Sequence, residues 1–182
     1  MAVRKPKLLE GPALVDYAAR LLSGRAYTFG EMREKLRRKA QNAADVPTAM
    51  ARLKELGYLD DERFAKEYAA LRRDNDGVGK SRVMRTLRAR RVAPAVAEKA
   101  VEEAYCGSDE STLIESWLER KYSGKNLREF LSVEKNLASA FRRLRTAGFS
   151  ASNSIRALRR HARAAEETLE ALENEASGEE AG

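Results

Sequence analysis

The sequence is poor in the residues that carry most redox and cofactor chemistry. Its 182 residues include one cysteine, Cys106, and one histidine, His161. A lone cysteine excludes an internal disulfide and a cysteine-based metal site, and it suits a reducing cytosol. His161 stands among Arg159, Arg160 and Arg163, with no spacing that would build a catalytic triad or a metal site. Aromatic residues make up only 7 % of the chain, and no run of alternating β-branched residues is long enough for a strand. No stretch approaches the roughly 18 apolar residues of a membrane span. Residues 1–10 lack the apolar segment of a signal peptide. Only four prolines occur, and Pro12, Pro47 and Pro94 stand where helices begin. The expectation is a soluble cytoplasmic protein, not an enzyme, that needs no cofactor and no metal.

What remains is helix-forming and cationic. Alanine, leucine, arginine and glutamate dominate, which suits amphipathic helices with modest cores. Net charge is +7, but seven of the 28 acidic residues lie after residue 165 and no Lys or Arg does. Residues 1–165 therefore set 35 cations against 21 acids, a net +14. A body this basic points to a polyanion or an acidic protein surface as partner.

Caps and hydrophobic periods predict nine helices. The first opens at Pro12 with Leu14, Ala18, Leu21 and Leu22 on one face. The second opens with the capping box Thr28/Glu31 and turns Phe29, Met32, Leu36 and Ala40 inward. The third carries Met50, Leu53 and Leu56 and closes at Gly57. The fourth spans about Asp61 to Arg73, and a turn at Asp74-Asn75-Asp76-Gly77 leads to a fifth over about Gly79 to Arg91 with Val83, Met84 and Leu87 inward. The sixth opens at Pro94, the seventh is capped by Ser108 or Asp109, and a polar insert follows around Tyr122 to Arg128. The eighth holds Leu137, Ala140, Phe141 and Leu144. The ninth starts near Ser150 and fades into the acidic tail.

These helices group in threes. Met32/Leu36, Val83/Leu87 and Ala140/Leu144 are each an i, i+4 pair on a middle helix, and each is followed at once by an arginine (Arg37, Arg88, Arg145). The fold expected is all-α: three tandem three-helix repeats forming an elongated, curved body. The boundaries are a basic N-terminal arm at 1–10, repeats at 11–59, 60–107 and 108–165, and an acidic tail at 166–182. The tail is expected to be at least partly frayed and to shield the basic face. One irregular helical domain with chance similarity is the alternative.

Two motifs that could suggest enzymatic chemistry have plainer readings. Gly77-Val78-Gly79-Lys80-Ser81 resembles the end of a phosphate-binding loop, but Asp74 stands where that motif needs glycine, and a helix precedes it instead of a strand. Asp60-Asp61-Glu62 is explained by helix capping. The cations are the stronger signal. At 3.6 residues per turn, Lys35, Arg37 and Arg38 lie away from the core face of the second helix. Arg82, Arg85 and Arg88 do so on the fifth, which has no acidic residue of its own to neutralise them. Lys135, Arg142 and Arg143 do so on the eighth, and Arg156, Arg159 and Arg160 extend the set on the ninth. Arginine predominates, which favours forked contacts with phosphate or carboxylate.

The run Gly57-Tyr58-Leu59-Asp60-Asp61-Glu62-Arg63-Phe64-Ala65 resembles the signature of the RecX regulatory proteins. So does the frame around it: Met32-Arg33-Glu34-Lys35-Leu36, Arg82-Val83-Met84-Arg85-Thr86-Leu87, and the closing Leu144-Arg145-Thr146-Ala147-Gly148-Phe149 followed by Ile155-Arg156-Ala157-Leu158. The resemblance covers about residues 13–162. It implies tandem three-helix repeats, a bacterial cytosolic setting, and the RecA recombinase filament on single-stranded DNA as partner. Such proteins bind along the filament groove and restrain its recombinase, ATPase and co-protease activities. This places the chain in recombination, DNA repair and the SOS response. Direct contact with single-stranded or duplex DNA is compatible with it, and a monomer is expected. Arg91 departs from the family, which often has glycine before Val92, and the 122–128 insert and the acidic tail are not standard. The rival readings are a helix-turn-helix DNA-binding protein, against which the basic middle helices count, and a helical scaffold whose charge is incidental.

Overall fold

Where a helix begins, its first amides need acceptors, and the sequence supplies them locally at most starts. The computed structural model describes residues 8–162 and 168–174. Its helices are α1 (Gly11–Leu22), α2 (Phe29–Arg37), α3 (Asp45–Glu55), α4 (Asp61–Leu71), α5 (Lys80–Ala89), α6 (Pro94–Tyr105), α7 (Glu110–Lys121), α8 (Leu127–Leu131), α9 (Glu134–Ala147) and α10 (Ala151–His161). A further helix, α11, covers 168–174. No strand occurs among the described residues, and only an isolated bridge pairs Leu9 with Ala40. The chain is all-α.

The caps follow the sequence. Thr28 and Glu31 form a full capping box: the Glu31 N–H donates to Thr28 Oγ1 at 3.1 Å and the Thr28 N–H donates to Glu31 Oε2 at 3.1 Å. Asp109 accepts from the Ser111 N–H at 3.0 Å, and Ser150 accepts from the Asn153 N–H at 3.3 Å. Backbone carbonyls of α4 pass into a π-helical turn at Arg72–Asp76, closed by Gly77 in the left-handed region at φ 53°. Arg72 and Asp76 pair across that turn at 2.5 Å.

The chain forms two compact units. One gathers the residues up to Tyr68 with Thr86–Ala100; the other gathers Ala69–Arg85 with Val101 onward. In the first, α1, α2 and α3 bury Leu14, Ala18, Met32, Leu36, Ala49, Met50 and Leu53. In the second, α7 to α10 bury Ile114, Leu118, Leu137, Phe141, Leu144, Phe149, Ile155 and Leu158. Each such leucine contributes roughly 1.5–3 kcal/mol. That exceeds the roughly 0–1 kcal/mol of an exposed ion pair, so packing sets the fold and the surface charges are left available for other roles.

Two helices stand beyond the nine that caps and periods predict. At the end of the polar insert and just beyond it stands α8, which the nine predicted helices do not include, with Leu131 fully buried and Leu127 and Phe130 packed on the same core. Within the tail α11 buries Leu169 and Leu172 in the core of the second unit, because two leucines three residues apart form a narrow apolar stripe among acids. The basic arm before Leu8 and the acidic residues 166, 167, 175, 179 and 180 lie outside the described residues.

Each unit contains one joint where the end of one middle helix meets the start of another. In the second unit the N–H of Gly79 donates to the Ala147 carbonyl at 2.9 Å, and that of Ser81 to the Gly148 carbonyl at 3.3 Å. The two backbones touch: a Cβ on Gly79 would sit 2.1 Å from the Gly148 oxygen, and one on Gly148 would sit 2.3 Å from the Arg82 nitrogen. In the first unit the start of α2 meets the chain just after α5. Thr28 Oγ1 donates to the Arg90 carbonyl, and a Cβ on Gly30 would lie 2.4 Å from Arg91 Cβ. Both joints set a helix C-terminus against a helix N-terminus, so the opposed partial charges attract. Arg91 takes the place glycine would fill best, at φ 62°.

Two substitutions test the joints. Gly79→Ala forces Cβ into a backbone oxygen and should cost about 1–3 kcal/mol, read as a lower melting temperature. Arg91→Gly removes a left-handed side-chain clash of about 1–2 kcal/mol at a smaller entropic cost and should raise the melting temperature by a few degrees. Equal melting of Gly79→Ala and the parent would show that the joint yields freely.

Candidate functional site

The middle helices carry the cations, and the structure sorts them by what they touch. On α2, Met32 and Leu36 are fully buried, and Lys35, Arg37 and Arg38 are exposed, as the period requires. Arg38 pairs with Glu34 one turn earlier at 3.1 Å. Lys35 and Arg37 make no side-chain hydrogen bond or ion pair among the described residues. On α9, Leu137, Ala140 and Leu144 are fully buried, and Lys135, Arg142 and Arg143 point to solvent without an ion pair. The Arg143 charge is felt by Tyr122, whose hydroxyl pKa is pushed up by burial and only partly drawn back by that guanidinium.

On α5 the expectation of unneutralised arginines needs correction. Arg82, Arg85 and Arg88 are exposed. However, Arg88 lies 3.7 Å from Glu98, and Arg85 donates to the Thr146 carbonyl at 3.1 Å. The missing acid comes from α6 and the missing acceptor from α9, which a single helix's composition does not reveal. The α10 cations are committed further. Arg156 donates to Asn153 Oδ1 and to Ser111 Oγ. Arg159 reaches Glu173 of α11 at 3.5 Å, and Arg160 reaches Glu115 of α7 at 3.1 Å. His161 also meets Glu115, at 2.7 Å, so the sole histidine has a carboxylate partner and is half-buried. Arg160 and His161 tie α10 to α7, and Arg159 ties it to α11.

The amides of Gly77, Val78, Gly79 and Ser81 in the phosphate-loop look-alike are taken. Gly79 and Ser81 give theirs to carbonyls at the end of α9, which leaves no amide cradle for a phosphate. The aspartate pair of the signature run divides its work. Asp60 caps α4 by accepting from the Arg63 N–H at 2.9 Å. Asp61 turns away and accepts from the N–H of Phe29, the first residue of α2, at 2.7 Å.

Around this contact lies a network that sequence reading missed. Arg90 forks onto Glu31 at 3.2 and 3.0 Å and donates to the Ala26 carbonyl at 2.9 Å. Its guanidinium also lies 4.4 Å from the Phe64 ring centroid. A separation of 59 residues between Glu31 and Arg90 leaves no local signal. Burial pushes the Glu31 carboxyl up, but the Arg90 and Thr28 hydrogen bonds more than reverse it, so its pKa is lowered. Burial raises Asp61; the Phe29 hydrogen bond opposes this, and the charges of Asp60 and Glu31 add to the rise.

Comparison with known proteins follows the same frame. The family model for the second three-helix domain of RecX matches residues 60–101. Regulatory protein RecX of Trichlorobacter lovleyi is 36 % identical over 107 residues, covering 59 % of this chain and 70 % of that protein. Regulatory protein RecX of Vibrio vulnificus is 33 % identical over 135 residues, covering 74 % and 84 %. The crystal structure of RecX from Lactobacillus salivarius matches with a TM-score of 0.61 at 20 % identity, over 81 % of this chain and 94 % of that one, a likeness of fold.

The Asp61 and Glu31 shifts have opposite signs for stability. A raised carboxyl favours the folded state at low pH and loses that contribution as pH rises through its folded value; a lowered one does the reverse. Asp61→Asn keeps an acceptor for Phe29 and removes the charge. It should melt at or above the parent near neutral pH, with the difference shrinking as pH falls and the raised Asp61 carboxyl of the parent protonates. Thermal melts across pH read this directly. A variant less stable than the parent near neutral pH, with the deficit closing as pH falls, would show that the carboxylate charge favours the α2 start.

Proposed function

Because this chain belongs to the RecX family of regulatory proteins, we propose that it binds the RecA recombinase filament on single-stranded DNA and restrains its recombinase, ATPase and co-protease activities. The reading places it in the cytosol, as a monomer, in recombinational repair and the SOS response. The chain performs no chemistry in this role. It acts by occupancy: helix faces that carry unpaired cations settle against acidic filament surface or DNA phosphate and hinder strand exchange or filament growth.

The observation that carries the reading is the set of exposed cations without ion-pair partners on α2 and α9: Lys35, Arg37, Lys135, Arg142 and Arg143. Surface cations that already face a carboxylate bring less net charge to a partner, so these five outrank Arg88, Arg159 and Arg160 as contacts. Arg82 and Arg85 remain candidates on α5 for forked contacts.

The test is RecA ATPase on single-stranded DNA with and without the purified protein, at several salt concentrations. Inhibition is expected, and it should weaken as salt rises, because released counterions and screened charge drive the contact. The triple variant Lys135→Glu, Arg142→Glu, Arg143→Glu should melt like the parent, since exposed substitutions cost about 0.5 kcal/mol or less each. Its inhibition should require on the order of tenfold more protein or be lost. A variant that melts normally and inhibits fully would remove α9 from the interface, and a parent without effect on RecA would overturn the regulatory reading.

A further inference from the structure

Leu9, the later part of α1 and the residues just after α2 border an open groove of about 380 Å3 that neither the joints nor the cationic faces use. Leu9, Tyr17, Arg20, Leu21 and Lys39 line it, all within the first unit. Its size falls in the range of about 300–1,000 Å3 typical of small-molecule sites. One wall is fixed by main-chain bonds: the Leu9 N–H donates to the Lys39 carbonyl at 2.8 Å, and the Gln41 N–H donates to the Leu9 carbonyl at 2.8 Å.

The lining combines three chemistries. Leu9 and Leu21 are half-buried and apolar. Tyr17 is half-buried too, and its hydroxyl has no hydrogen-bond partner among the described residues. Its ring packs against the core of the first unit, and the Lys39 ammonium lies 5.9 Å from the ring centroid. Arg20 is exposed; its Nε donates to the Asp16 carbonyl at 3.3 Å, and neither Arg20 nor Lys39 pairs with a carboxylate. An aromatic face on an apolar wall, flanked by two cations that nothing neutralises, matches a flat ring joined to an anion.

We propose that this groove holds one nucleotide of a single-stranded nucleic acid, its base on Tyr17 and its phosphate between Arg20 and Lys39. A base paired and stacked in a duplex cannot offer its face to a tyrosine, so the strand must be single. Lys39 swings on a flexible four-carbon stem and moves from ring to phosphate as the base enters. One helical turn earlier stands Lys35, with Arg37 nearby, both without partners, so the adjoining phosphates of a strand meet further cations. A free mononucleotide lacks those phosphates and binds more weakly. This goes beyond regulation of RecA: it is direct contact between this chain and a base.

The experiment contains no RecA, so its failure leaves the regulatory reading intact. The full chain is titrated into a fluorescein-labelled oligothymidylate and into an abasic strand of equal length and charge, with anisotropy as the readout. The parent should bind the oligothymidylate about tenfold more tightly than the abasic strand, as one stacked base allows. Tyr17→Ala should lose that preference, with binding to the abasic strand unchanged, and Tyr17→Phe should keep it. Should Tyr17→Ala melt lower than the parent, the double variant Arg20→Ala, Lys39→Ala replaces it; both strands should then bind several-fold more weakly at an unchanged melting temperature. Equal binding of both strands by the parent would overturn the proposal. So would a Tyr17→Ala variant that still prefers bases, a double variant that binds like the parent, or thymidine monophosphate that competes as well as the oligothymidylate.

Discussion

A helix that starts inside a protein must find acceptors for its first amides, and in this chain the last carbonyls of another helix supply part of that need. Gly79 and Ser81 give their N–H groups to Ala147 and Gly148 in one unit. Thr28 and Gly30 press against Arg90 and Arg91 in the other. The arrangement meets two requirements at once. It satisfies polar groups that would otherwise be left without partners, and it brings helix ends of opposite partial charge together. It also fixes where the cation-bearing faces of α2 and α9 can point, because each helix is held at one end by main-chain contact and along its length by buried leucines. The same joints consume the amides that the glycine-rich loop before α5 could have offered to a phosphate, so structural use of that loop excludes its most tempting functional reading.

The signature run shows how one short segment serves both parts of a unit. Asp60 and Asp61 are adjacent and chemically identical, yet one caps the helix it begins and the other caps a helix 32 residues earlier. Arg90 closes the arrangement from the other side through Glu31 and Phe64. A carboxylate raised by burial and one lowered by an arginine sit within the same small volume, so their acid responses partly cancel.

Much of the fold was legible because its signals are local. The Thr28/Glu31 box, the caps Asp109 and Ser150, and the Met32/Leu36 and Ala140/Leu144 pairs are read within one or two turns and stand as the period implies. The misses are equally physical. The five residues of α8 are too few to show a helical period, and Leu131 declares itself only by being buried. Around α11 the acids dominate the composition of the tail, while two leucines decide the structure. At the candidate site, exposure of the cations was legible from spacing, but their partners were not. Glu98, Glu115 and Glu173 come from other helices, and the Thr146 carbonyl is a main-chain group that no sequence pattern advertises.

The burial of Leu169 and Leu172 changes how the C-terminal region should be handled in the laboratory. A charge plot invites cutting the chain where basic gives way to acidic, near residue 165. That cut would open a hole in the second unit the size of two leucine side chains and expose the surface they cover. Any gain in affinity for nucleic acid after such a cut would mix the loss of negative charge with a loosened, sticky core. Exchanging the exposed Glu170 for glutamine while keeping both leucines and the Arg159–Glu173 pair separates the two effects, because it alters charge and leaves the packing whole.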